Sequence, residues 1–84
     1  MQLGFEQGGR EDYIRWQETD KKILKKINAL IKECRRTPFE GTGQPEQLRH
    51  ELSGYWSRRI TLEHRLVYRV EGDVVIVAQC RNHY

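Results

Sequence analysis

The chain lacks most of the features that announce a function outright. Cys34 and Cys80 are its only cysteines, and two thiols so far apart set up no disulfide framework. No run of about 18 apolar residues occurs, so no membrane span is expected. No charged-then-apolar leader opens the sequence, so secretion is not indicated and a cytoplasmic protein with reduced thiols is expected. No glycine-rich phosphate fingerprint is present. A chain of 84 residues buries only about 60–65% of its unfolded surface, so a dinucleotide or haem pocket would consume its core, and no cofactor is expected. "CRNH" at 80–83 has the look of half a zinc site, but no second pair accompanies it, and no metal is expected either. Internal repeats and low-complexity tracts are missing too. One domain covering residues 1–84 follows, and any activity must come from a shallow surface or groove.

What is present is arginine and lysine, unevenly placed. Fifteen basic residues against twelve acidic ones give a net charge of +3, but the blocks matter more than the sum. Lys21 to Arg36 holds seven basic residues and one acid, Glu33; Arg49 to Arg69 holds five arginines and two acids. Two basic blocks on a small domain suit an anionic partner such as nucleic acid.

Hydrophobic periodicity gives the elements. Leu3 and Phe5 alternate with small or polar residues in a short strand that Gly8 and Gly9 should break. "REDYIRWQETD" then reads as a short helix, with Glu11 and Asp12 near its positive N-terminal end. Ile23, Leu24, Ile27, Leu30, Ile31 and Cys34 recur at helical spacing, while Lys21, Lys22, Lys25, Lys32 and Arg36 take the other side. Thr19 or Asp20 caps this second helix and Pro38 stops it. Residues 37–48 read as a loop. Three strands follow, Tyr55–Ile60, Arg65–Val70 and Val74–Cys80; the last is apolar on both faces and should be central. The expected fold is α+β, an N-terminal strand and a helical hairpin packed on a twisted antiparallel sheet.

Side-chain alternation places Leu66, Tyr68 and Val70 toward the helices and Arg65, Val67 and Arg69 on the opposite face. If residues 60–64 form the connection, Arg59 sits directly opposite Arg65; a register one residue off would put Ile60 there instead. Two like charges about 5 Å apart call for something negative between them. Glu63, Glu46 or a phosphate would serve, and the planar fork of arginine suits phosphate. His83 and Tyr84 follow the central strand, and histidine is the side chain best suited to proton transfer near neutral pH.

Six segments, "WQETDK", "RRTPFEG", "PEQL", "LSGYWSRRI", "EHRLVY" and "CRNHY", occur in an order and at a spacing that resemble the YoeB branch of the RelE toxin superfamily. The resemblance runs from about Asp12 to Tyr84. It implies a RelE-like fold, akin to microbial ribonucleases, and a type II toxin. Such a toxin is an endoribonuclease that cuts mRNA in the A site of the bacterial 70S ribosome and is neutralised by a YefM-like antitoxin. It also implies a homodimer. Carried over residue by residue, the resemblance makes Glu46, Arg65, His83 and Tyr84 catalytic and gives Arg59 and Arg49 to the substrate, Arg49 standing where lysine is frequent. Glu46 would then be the base, His83 the acid and Arg65 the stabiliser of the phosphorane, with the reverse assignment of Glu46 and His83 left open. Lys21, Lys22, Lys25, Lys26, Lys32 and Arg36 would face ribosomal RNA. The N-terminus departs from the pattern: "LGFEQGGREDY" replaces a strand followed by serine and an aromatic, and its glycines should loosen the start of the first helix.

Overall fold

The computed structural model describes residues 1–82. The chain runs β1 (Gln2–Phe5), α1 (Gln7–Thr19), α2 (Lys21–Arg36), β2 (Glu46–Gln47), a 3-10 turn (His50–Leu52), β3 (Trp56–Arg59), β4 (Arg65–Glu71) and β5 (Val74–Gln79). The five strands form one sheet in the order β1-β5-β4-β3-β2, and both helices pack on one of its faces. The α+β arrangement is as expected, with β5 inside the sheet between β1 and β4.

Three local expectations need correction. The sheet is mixed, because β1 runs parallel to β5. Only a short turn forces neighbours to be antiparallel, and β1 reaches β5 from the far end of the chain. The segment read as loop contains β2, whose Glu46 and Gln47 pair with Ser57 and Trp56; two residues are too few to leave a periodic trace. Helix α1 begins at Gln7, with Gly8 and Gly9 inside it rather than ahead of it, and its first turn holds no acidic residue. Gly9 is there for close approach. A Cβ at that position would come within 2.8 Å of the carbonyl carbon of Val77, so only glycine lets α1 lie this close to β5.

Helix α2 follows its sequence pattern. Ile27, Leu30, Ile31 and Cys34 are buried against Ile60, Leu66, Tyr68, Val75, Val77 and Cys80. Each such aliphatic side chain contributes about 1.5–3 kcal/mol on burial, so packing rather than intrinsic propensity holds the helix. Asp20 is the only residue between the helices and caps α2. Its carboxylate accepts from the backbone N–H groups of Lys22 and Ile23 at 3.0 and 3.2 Å. Arg35 and Arg36 occupy the last turn, where the helix end is negative. Among the described residues no helix is long and apolar enough to cross a membrane.

Candidate active site

The register between β3 and β4 places Arg59 directly opposite Arg65, as the five-residue connection predicts. Alternation turns both guanidinium groups away from the helices, onto the same face as Val67 and Arg69. The three arginines of this face are treated differently. Arg69 is neutralised: its Nε donates to Glu6 at 2.9 Å and its Nη1 meets Glu71. Hydrogen bonds from Arg69 and from the Tyr55 hydroxyl hold the Glu6 carboxyl below the usual range. Arg59 and Arg65 have no carboxylate partner among the described residues, and the Nε of Arg65 is buried without a hydrogen bond. A buried donor left unpaired costs about 1–3 kcal/mol, and two like charges side by side add repulsion. An anion between them removes both penalties.

The same register carries Glu46 to this face. Glu46 lies opposite Ser57, which lies opposite Val67, two positions along from the arginine pair. Arg49 follows just past β2, exposed, and with Glu46, Leu48 and His50 it lines a groove of about 290 Å³. Glu63, a candidate for the charge between the arginines, is not there. Its carboxylate lies 3.2 Å from Nε2 of His64.

Arg58 fixes the segment that delivers Glu46. It points the other way, into the core, and is fully buried. Its Nε donates to the Tyr68 hydroxyl at 3.1 Å and its terminal nitrogens to Glu33 and to the carbonyls of Thr37, Glu40 and Thr42. Tyr68 in turn donates to the Pro38 carbonyl at 2.6 Å. Burial pushes the Tyr68 phenol up to about 12, so it stays protonated for this role. The Glu33 carboxyl is held below its ordinary value, first by the Thr42 backbone N–H and also by the Arg58 charge. Residues 37–42 thus wrap one guanidinium. The signal for this was available: Arg58 pairs with Leu66, so the register that joins Arg59 to Arg65 also sends Arg58 inward.

The chain end is held from three elements. Asp12 accepts from the Cys80 N–H at 3.1 Å, and the Trp16 indole donates to the Cys80 carbonyl at 2.8 Å. The Asn82 N–H donates to His64 Nδ1 at 2.8 Å, while the Arg65 N–H donates to the Asn82 carbonyl at 3.1 Å. Sequence reasoning passed over Asp12, Trp16 and His64 in this role. His83 and Tyr84 lie outside the described residues. Lys21, Lys22, Lys25, Lys26, Lys32 and Arg36 are all exposed on α2, on the opposite side of the sheet from Arg59 and Arg65. Both thiols are buried, and burial raises Cys34 and takes Cys80 up to about 12, so neither is a ready nucleophile.

Two helices thus cover one face of a small mixed sheet, and the other face carries Glu46 and an arginine couple with no carboxylate partner among the described residues. Residues 5–84 match the family model described as YoeB-like toxin of bacterial type II toxin–antitoxin system. The chain is 62% identical to Toxin YoeB of Escherichia coli (strain K12) over the whole of both chains. Among solved structures it is similar to a YoeB/ParE toxin from Agrobacterium tumefaciens, with 51% identity, full coverage of both chains and a TM-score of 0.96. It is also similar to YoeB from Staphylococcus aureus, solved as a heterotetrameric YoeB–YefM complex and as a dimer. In both cases the identity is 46%, covering 100% of this chain and 98% of that one, with a TM-score of 0.91. This chain belongs to the YoeB-like toxins of bacterial type II toxin–antitoxin systems.

Proposed function

We propose that the protein is a ribosome-dependent endoribonuclease that cleaves mRNA in the A site and so arrests translation. The observation that carries this reading is the Arg59–Arg65 couple, with its buried, partnerless Nε, on the sheet face that also presents Glu46. Arg65 and Arg59 grip the scissile phosphate, and Arg49 adds charge along the RNA backbone. Glu46 takes the proton of the RNA 2′-hydroxyl, whose oxygen attacks the adjacent phosphorus. Arg65 stabilises the dianionic phosphorane, and the P–O5′ bond breaks as His83 protonates the leaving oxygen. The products are a 2′,3′-cyclic phosphate and a 5′-hydroxyl. Tyr84 completes the site beside His83. The nucleophile belongs to the substrate, so the step requires neither a metal-activated water nor a cofactor.

The whole chain acts as one toxin domain in the bacterial cytoplasm, where ribosomes and message are found. The exposed basic face of α2 is turned to ribosomal RNA, leaving the opposite face free for the message. The S. aureus relative is seen both in complex with YefM and as a dimer; a YefM-like antitoxin and a homodimer are the corresponding partners here. Mapping new mRNA 5′ ends on translating ribosomes tests the reading. Wild-type protein should give A-site cuts bearing 5′-hydroxyls, and E46Q and H83Q should lose about 10²–10⁴ in rate. Translational arrest without new 5′ ends would make the protein a binder and not a nuclease.

A further inference from the structure

His64 ends the β3–β4 connection and is buried, with 8% of its surface exposed. Its ring is fixed on three sides. Nδ1 accepts the Asn82 N–H at 2.8 Å, Nε2 faces the Glu63 carboxylate at 3.2 Å, and the Trp16 indole meets the ring edge-on with centroids 4.8 Å apart. Its backbone closes the connection as well, the His64 carbonyl accepting from Ile60 and Thr61 and its N–H donating to the Thr61 hydroxyl. The next residue, Arg65, donates its N–H to the Asn82 carbonyl at 3.1 Å. Consecutive residues therefore grip both polar groups of the Asn82 backbone, and the second of them is the phosphate arginine. Asn82 has a positive φ of 63°, a conformation asparagine tolerates better than most residues. His83 is the next residue along.

We propose that His64 is a positioning residue. Accepting the Asn82 N–H through Nδ1, it holds the chain immediately before His83 in a fixed place relative to Arg65. The inference rests on the proposed reaction, in which the general acid must meet a phosphate held by that arginine. Displacements of about 1 Å in such an arrangement cost on the order of a hundredfold in rate. An Nδ1 that accepts requires the neutral tautomer with its proton on Nε2, which Glu63 stabilises by accepting from it.

Two substitutions separate this role from simple packing. In H64N the amide oxygen falls near the position of Nδ1 and can still accept. In H64Q it falls near Nε2 and cannot. Three quantities are measured for each: single-turnover cleavage on saturating ribosomes, ribosome affinity, and hydrogen exchange at the Asn82 amide. H64Q should cleave at least tenfold more slowly and exchange the Asn82 amide at least tenfold faster, with ribosome affinity within twofold of wild type. H64N should stay within threefold of wild type throughout. An H64Q protein that frees the Asn82 amide yet cleaves at the wild-type rate overturns the proposal, as does equal loss in both variants with Asn82 still protected. If H64Q does not fold, ¹⁵N NMR of the wild-type ring decides: a proton on Nδ1 refutes the clamp. E46Q, run alongside, isolates the other failure. Full cleavage by E46Q would sink the proposed reaction while leaving the Asn82 exchange data to stand for the clamp alone.

Discussion

Removing the Arg58 guanidinium should be the most damaging single change to the fold that leaves every proposed catalytic group in place. The side chain is fully buried, with a 3.1 Å bond to Glu33 and further bonds to the carbonyls of Thr37, Glu40 and Thr42. R58M keeps much of the volume, strips the three carbonyls of this donor and leaves Glu33 only the Thr42 N–H. A carbonyl left without its donor costs about 1–3 kcal/mol, so the three together put the loss at roughly 3 kcal/mol or more. A chain of this size has roughly 4–13 kcal/mol of total stability, at 0.05–0.15 kcal/mol per residue. The loss is thus about a quarter of the total or more, and the melting temperature should fall by on the order of 20 °C. R58K should fall between, since one ammonium has three donors where the guanidinium has five. Thermal and urea unfolding of R58M, E33Q and the double variant supply the assay. A non-zero coupling between positions 33 and 58 is expected for groups in direct contact. Melting within about 4 °C of wild type for R58M, or no coupling, would refute the claim that this guanidinium organises residues 37–42. A second readout belongs to the site: at a temperature where R58M remains folded, cleavage should still be slower, because Glu46 lies four residues beyond the released segment.

Three further outcomes are expected. R65K keeps the charge and loses the two-pronged grip, so single-turnover cleavage should fall by about 2–4 kcal/mol of transition-state stabilisation; a rate within threefold of wild type would argue against direct phosphate contact. Reversing Lys22, Lys25 and Lys26 to Glu should weaken ribosome association, flatten its salt dependence and leave the melting temperature nearly unchanged, since all three are exposed; unchanged affinity at low and moderate salt would move the ribosome-facing surface elsewhere. The Glu33 and Glu6 carboxyls titrate below their ordinary value in the folded chain, so their stabilisation is fully present above about pH 4.5 and is lost as pH falls through the folded-state pKa. Denaturation midpoints should therefore drop as pH falls below about 4.5, and E33Q and E6Q should each flatten that drop; an unchanged slope in both would show that neither interaction persists in solution.

Sequence alone determined whatever depends on near neighbours. The sixteen residues of α2 repeat their apolar positions often enough to fix its face, and Asp20 and Pro38 bound it. The five-residue connection between β3 and β4 narrowed their register to two, Arg59 or Ile60 opposite Arg65, and the structure selected Arg59. The similarity of "EHRLVY", "PEQL" and "CRNHY" to a known toxin branch supplied the candidate roles, which neither spacing nor composition carried. Tertiary structure decided what depends on distant partners. Gly8 and Gly9 look like breakers until the carbonyl of Val77 comes against Gly9; there glycine is what allows the helix to lie so close. Two residues became β2 only because β3 offered an edge, and β1 ran parallel to β5 because no turn constrained it. Arg58 and His64 read as one more arginine and one more histidine in a basic stretch. Glu33 lies 25 residues from Arg58 and Asn82 lies 18 from His64, and a side chain's role is set by what the fold brings against it, which no local pattern records.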